Sequence, residues 1–273
     1  MNKAYKVLSI PYLVWLILLA FFPILIMTVL IFMESEGLTL DGAVISLFAF
    51  ELFFDSSTMI SILNSLFYSI TATIFCIILG YLAAFVIYKS RIKNKFLVII
   101  IFVLPMWSNL LLRIQAVGSL LETNNIITSL LGITGINANG TGFAIILGMV
   151  VTYLPFMILP IYTALEKIDK SYEEASLDLG LPEFKTFFKV TFPLSLKGIV
   201  SGSIMVFLPA LSGFAIPQIL GKGDKLLVGN IIEQSFRNMN YNFGSLLSII
   251  LLIFIMVSLI LLNKTDKEGE TLL

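Results

Sequence analysis

Histidine is absent from the 273 residues, and cysteine occurs once, as Cys76. The first absence removes any Ser/His/Asp set. Together they remove Cys/His metal clusters and any disulfide within the chain. Cys76 sits in the apolar run "TATIFCIILG", where a cysteine behaves as a small buried hydrophobe. Charge is scarce as well: 12% of residues are charged, against about 25% in soluble domains. Basic and acidic residues balance at 17 each, which gives no basis for nucleic-acid binding. No G-x-x-x-x-G-K-[ST] phosphate loop occurs, and "GKGDK" from Gly221 to Lys225 is too short to serve as one. Acidic residues lie mostly in loops, so paired intramembrane aspartates have no support, and the sequence offers no enzyme.

What remains is apolar. Hydrophobic residues make up 58% of the chain, with a mean hydropathy of +1.01. Too little polar surface exists to cover the molecule in water, and the composition specifies an all-α integral membrane protein. A spanning helix needs about 20 mostly apolar residues at about 1.5 Å each. Six stretches qualify, at about 11–33, 60–88, 96–118, 143–165, 198–220 and 243–262. Lys3 and Lys6 precede the first, as in a signal peptide. Its apolar run is too long for one and no A-x-A-like site follows, so it reads as a retained anchor.

Lysine and arginine set the orientation. With six spans, one side receives Lys3 and Lys6, then Lys89, Arg91, Lys93 and Lys95. The same side receives Lys167, Lys170, Lys185, Lys189 and Lys197, then Lys264 and Lys267. The other side receives only Lys222, Lys225 and Arg237, and its first loop carries Glu34, Glu36, Asp41, Glu51 and Asp55. Both termini and the 166–197 loop are therefore expected in the cytoplasm.

That loop contains "EEASLDLGLPEFKTFFKVTFPL", Glu173 to Leu194. Ser171 and Glu174 have capping-box spacing, which predicts a short helix from Tyr172 to about Leu179. Gly180 suits a left-handed helix end, and Pro182 suits the first turn of a second helix. In that second helix Phe184, Phe187, Phe188, Thr191 and Phe192 fall on one face at 3.6-residue spacing, and Pro193 is expected to end it. Two readings of this helix–turn–helix compete. Its phenylalanines pack on the protein's own spans or the lipid interface, or part of its surface docks a soluble partner.

Glu174-Ala175-Ser176, three residues, Gly180, nine residues, then Val190-Thr191-Phe192-Pro193 resembles the EAA loop of ABC-importer permeases: E-A-A, three residues, G, nine residues, I-x-L-P. Ser176, Val190 and Phe192 are the departures. The resemblance implies a six-span, single-domain type I ABC importer permease, residues 1–273, in a bacterial cytoplasmic membrane. It also implies that the loop is a coupling helix seated on an ATP-binding subunit. Glu173, Glu174, Ala175, Ser176, Gly180, Leu181 and Pro182 would then face that subunit. Phe184, Phe187, Phe188, Val190, Phe192 and Pro193 would anchor the loop. Two cytoplasmic ATPase subunits, a second permease and an extracytoplasmic binding protein would complete the machine, with no cofactor on this chain.

The fifth span, "GIVSGSIMVFLPALSGFAIPQILGKG", is interrupted by Gly198, Gly202, Pro209, Gly213 and Pro217 and carries Ser201, Ser203 and Ser212. Small residues permit close helix packing. Freed backbone groups at membrane depth line a path. Both readings stand. In the third span, Arg113 and Gln115 are polar at membrane depth, where charge marks function, or else snorkel outward. The phrases "LPMWSNLLLRIQAVGSLL" and "MVFLPALSGFAIPQILGKGD" resemble spermidine/putrescine importer permeases. This resemblance implies a pathway or gate at Trp107, Asn109, Arg113, Gln115, Ser201, Pro209, Ser212, Gly213, Phe214 and Pro217. Many relatives carry an acid where Gly213 stands, which leaves Glu122, Asp224 and Glu233 as acidic partners for a polycation. Alternatives are an ABC permease for another small solute, or an ion-driven carrier. The carrier would need inverted repeats and an acidic relay, and neither is visible.

Overall fold

The computed structural model describes residues 3–34, 44–124 and 137–265. Glu36, Asp41 and Lys267, used above for orientation, lie outside them. The described chain is almost wholly helical and gathers into two compact units.

The first unit comprises Met1–Ile62 and Val228–Met256. Helix α1 (Lys3–Leu16) passes through one π turn into α2 (Phe22–Leu30). The residues of this span from Ile10 to Leu30 leave large apolar side chains exposed, as lipid contact requires. A two-residue strand pair follows, β1 (Met33–Glu34) against β2 (Val44–Ile45), with Met33 opposite Ile45. A short helix, α3 (Phe48–Phe53), packs Ala49 into a cluster with Ile31, Val228, Phe243, Leu246 and Leu247.

The second unit comprises Leu63–Leu227 and Val257–Leu273. Helix α4 (Ser56–Lys89) enters it, followed by α5 (Lys95–Val103), α6 (Leu110–Leu120), α7 (Gly142–Glu166), α8 (Lys170–Asp178), α9 (Glu183–Thr186), α10 (Phe192–Ser212) and α11 (Ala215–Leu220). Helix α12 (Val228–Arg237) and α13 (Tyr241–Thr265) end the described chain. Two glycines bring α7 and α10 together. A Cβ on Gly198 would meet the Pro160 carbonyl oxygen at 2.7 Å and Ala164 Cβ at 2.6 Å, and one on Gly202 would meet Met157 Sδ at 2.6 Å. The packing reading of the small residues therefore holds at these two positions.

Among the described residues, five helices are long and apolar enough to cross a bilayer, and a sixth span results if the bent α5–α6 pair counts as one. The third span is not straight as the sequence predicts. After Val103 the chain tightens into a 3-10 turn, Leu104–Trp107, containing Pro105. Asn109 then accepts from Leu111 N–H at 2.9 Å and starts a new helix at 94° to the first. A proline without an N–H and a fresh N-cap two turns into an apolar run redirect the axis.

The fifth span also differs. One helical rod runs from Glu183 to Ser212, with a π segment at Phe187–Thr191. Pro193 does not end a helix; it occupies the first turn of α10. The wide π turn ahead of it frees the carbonyls that a proline cannot serve. The rod breaks at Gly213, whose backbone is extended (φ −70°, ψ 136°), before α11.

Candidate functional site: the cytoplasmic hairpin and the broken helix

The hairpin is built from α8, a turn, and the start of the long rod. Asp169, not Ser171, caps α8: its carboxylate accepts from Ser171 N–H at 2.9 Å. This bond holds the exposed Asp169 carboxyl below its ordinary pKa. A lowered carboxylate pKa stabilises above the unfolded value and is lost as pH falls through the folded one. The cap is therefore intact at neutral pH and fails only on acidification. Gly180 ends the helix as predicted, at φ +81°. Gly180 N–H donates to the Leu177 carbonyl at 2.8 Å and Leu181 N–H to Ser176 at 3.2 Å, a Schellman closure. No atom lies within 4 Å of a Cβ built there, so only the backbone conformation demands glycine.

Two of the predicted docking residues turn inward instead. Glu173 accepts from Lys89 Nζ at 2.6 Å and from Thr191 Oγ1 at 2.9 Å. Ser176 is buried and hydrogen-bonds Thr186 Oγ1 at 2.9 Å. Both hold the hairpin to itself, and Glu173 also ties it to Lys89 at the end of α4. Glu174, Ala175, Gly180 and Pro182 stay exposed and Leu181 is half-buried. Leu179, at 83% exposure, forms the tip.

The phenylalanine face splits for a physical reason. The π segment adds a residue to the turn, so 3.6-residue spacing fails across it. Phe187 and Phe192 enter an aromatic cluster with Tyr81 and Phe85; Phe187 and Phe85 meet edge to face at 4.8 Å. Tyr81 also shares a 2.9 Å hydrogen bond with Ser195. Thr191 is fully buried and Val190 half-buried. Phe184 and Phe188 touch each other at 4.9 Å but are 73% and 52% exposed, and Pro193 is exposed. Phe188 also meets Phe187 edge to face at 4.8 Å, at the outer edge of the aromatic cluster. Sequence reasoning missed Lys89, Tyr81, Phe85 and Ser195, which come from distant segments.

Removing the Glu173 carboxylate by Glu173→Gln, or the hydroxyl by Thr191→Val, should loosen the hairpin by about 1 kcal/mol each, the ion pair counting for little beside a half-exposed lysine. The measure is trypsin cleavage at Lys185 and Lys189 in inside-out vesicles, expected to quicken in both variants.

The broken end of the rod gathers some pathway residues and not others. Tyr153 donates from its hydroxyl to the Pro209 carbonyl at 3.2 Å, and Gly213 N–H donates to the same oxygen at 2.9 Å. Beside them a cavity of about 100 Å³ is lined by Leu110, Met149, Tyr153, Gly213, Phe214, Ala215 and Ile216. A Cβ on Gly213 would lie 2.7 Å from the Pro209 oxygen and 3.2 Å from the Tyr153 hydroxyl. This conformation thus has no room for an acid there. Ser212 bonds back to Leu208, and Pro217 is buried in α11. Arg113 lies close enough to Tyr153 to interact electrostatically, and its Nε is buried with no hydrogen-bond partner among the described residues. Trp107, at 87% exposure, Asn109 and Gln115 face outward from the bent pair. Ser201 lies apart, in a cavity beneath the hairpin. Among the outer acids, Glu233 pairs with Arg237. Among the described residues no cluster of acids, histidines or cysteines is placed to hold a metal.

Residues 76–264 match the family model described as "Binding-protein-dependent transport system inner membrane component". The chain belongs to that family. This permease is an inner-membrane transport subunit with the type I ABC importer permease fold. It is 34% identical over 97% of its length, and 95% of the relative's, to the spermidine/putrescine transport system permease protein PotB of Haemophilus influenzae. PotB of Escherichia coli is 32% identical, over 93% of this permease and 94% of that protein. Among solved structures, a bacterial ABC transporter involved in the import of the acidic polysaccharide alginate superposes with a TM-score of 0.79. It covers 98% of this permease and 96% of that chain at 14% identity. The MetNI methionine ABC transporter superposes at 0.57, covering 78% and 97%.

Proposed function

We propose that this chain is the permease subunit of an ATP-driven importer for polyamines, spermidine or putrescine. The whole of residues 1–273 would act as one permease domain. The full-length relation to PotB carries the reading. One of two ATP-binding subunits would sit on the exposed Glu174, Ala175, Gly180 and Pro182 and the half-buried Leu181 of the hairpin. A second permease would complete the path, and an extracytoplasmic polyamine-binding protein would deliver the solute.

The mechanism follows from the continuous rod. The hairpin is locked to α4 through Glu173, Lys89 and the Phe187 cluster, and it continues as one helix to Ser212. Movement of the hairpin by the ATPase pair is therefore transmitted along about 45 Å of helix, at about 1.5 Å per residue over the 30 residues from Glu183. It arrives at the Gly213 break, where an extended residue absorbs the rotation. The nearby Pro209, Tyr153 and Phe214 would form the gate. Among the described residues no carboxylate lines the cavity beside that break, so the acidic groups for a polycation would come from partner subunits or from the outer loops.

Disrupting the gene should abolish high-affinity uptake of labelled spermidine or putrescine, and the intact gene should restore it. Unchanged polyamine uptake in cells that lack the protein would refute the substrate assignment.

A further inference from the structure

Helices α5, α6, α7, α10 and α11 carry Lys95, Arg113, Glu166 and Lys197 and no other charge. Three of these lie toward the cytoplasmic side; Arg113 does not. Along α5 and the 3-10 turn the chain climbs about 20 Å from Lys95, and α6 then leaves at 94°. A straight span would have carried Arg113 about 27 Å, to the outer edge of a core about 30 Å thick, within reach of headgroups. The bend keeps it at membrane depth. Its Nε is buried with no hydrogen-bond partner among the described residues, and Tyr153 on α7 is its electrostatic neighbour. The Pro209 carbonyl beside Tyr153 already accepts twice, from Tyr153 and from Gly213. Glu166, the one acid on these helices, stands about 20 Å from Tyr153 along α7.

A buried guanidinium is costly at this depth unless an anion meets it, and the surface around it decides which kind. Helix α6 buries Ile114 and Gly118 and leaves Leu112, Gln115, Ala116 and Ser119 exposed on the opposite side, with Arg113 at the flank. Lipid tails offer a glutamine amide nothing to bond, whereas small and polar residues on one stripe suit another helix. Headgroup phosphates stay at the boundary, and a polyamine is itself a cation. A second copy of this chain would bring to a two-fold contact the same cation and, on these helices, no acid at that depth. We propose that α6 is an interface for the second permease subunit, and that Arg113 receives a carboxylate from one of that subunit's membrane helices. The pairing places a salt bridge beside Tyr153 and the Gly213 break, so it joins the two halves of the path where the rod ends.

The pairing rests on the reading that a second permease completes the path, and not on the solute. The test is co-purification of the second permease with the tagged full-length chain from membranes that hold the complete transporter. Arg113→Gln should lower the retained second permease about ten-fold, and Arg113→Lys should keep most of it. The isolated Arg113→Gln chain should melt no lower than wild type, since it has lost only an unpaired charge; a lowered melting temperature would mark a merely structural arginine and overturn the proposal. Each membrane-embedded acid of the second permease is then changed to its amide. One of these changes should reproduce the loss and add nothing to Arg113→Gln. Arginine at that same position should restore the assembly of Arg113→Glu. A retained partner indifferent to Arg113→Gln, acids that all act additively with it, or the same loss from Glu36→Gln or Asp41→Asn on this chain would refute the pairing alone. A wild type that purifies without any second permease would refute that reading and the pairing together.

Discussion

Gly180→Pro is expected to reduce ATP-driven uptake by roughly ten-fold or more, equivalent to a loss of at least about 1.4 kcal/mol in coupling. Two physical facts set the size. Proline fixes φ near −65°, whereas this turn needs +81°. It also deletes the N–H that closes the turn on Leu177. The hairpin tip would be rebuilt in another direction while the spans remain intact, so the variant should reach the membrane at normal levels. Gly180→Ala is the control. Its Cβ meets open space, so it carries only the left-handed backbone penalty of about 1 kcal/mol and should keep most transport. Uptake and membrane abundance measured side by side separate coupling from folding.

The second large effect is expected at Gly198. Gly198→Val sets a branched side chain against a backbone carbonyl and Ala164. Backbone cannot step aside as a side chain can, and overpacking of this kind costs about 1–3 kcal/mol or more. The variant should lose transport through loss of the packed α7–α10 pair, visible as a lowered melting temperature. Gly202→Ala should cost less, because the obstructing group is the flexible end of Met157. Comparable melting temperatures for the two variants would show that the helices are not pinned where the geometry places them.

The spans were legible because apolar length is a direct signal, and Gly180 was legible because a glycine between two helical patterns has few other uses. The errors have particular causes. "DKS" at Asp169–Ser171 offers two caps, and the carboxylate takes the helix end that the Ser171 spacing also fits. The phenylalanine face assumed one unbroken period, and the π segment broke it between Phe184 and Thr191. The bend in the third span was written in "PMWSN", a proline followed by an N-cap, but hydropathy averaged over it. Lys89 with Glu173 and Tyr81 with Ser195 could not be read at all. Their partners lie 84 and 114 residues apart, and nothing local encodes such pairs.

The account turns on the hairpin tip meeting an ATPase on the inner side of the membrane. Cys76 is the one cysteine and is buried, so a cysteine introduced by Leu179→Cys gives a single reactive site at the exposed tip. The account predicts that a short crosslinker from this site captures the ATP-binding subunit in inside-out vesicles, and that impermeant maleimide added to whole cells leaves it unlabelled. Labelling from outside the cell, or adducts to lipid alone, would contradict it.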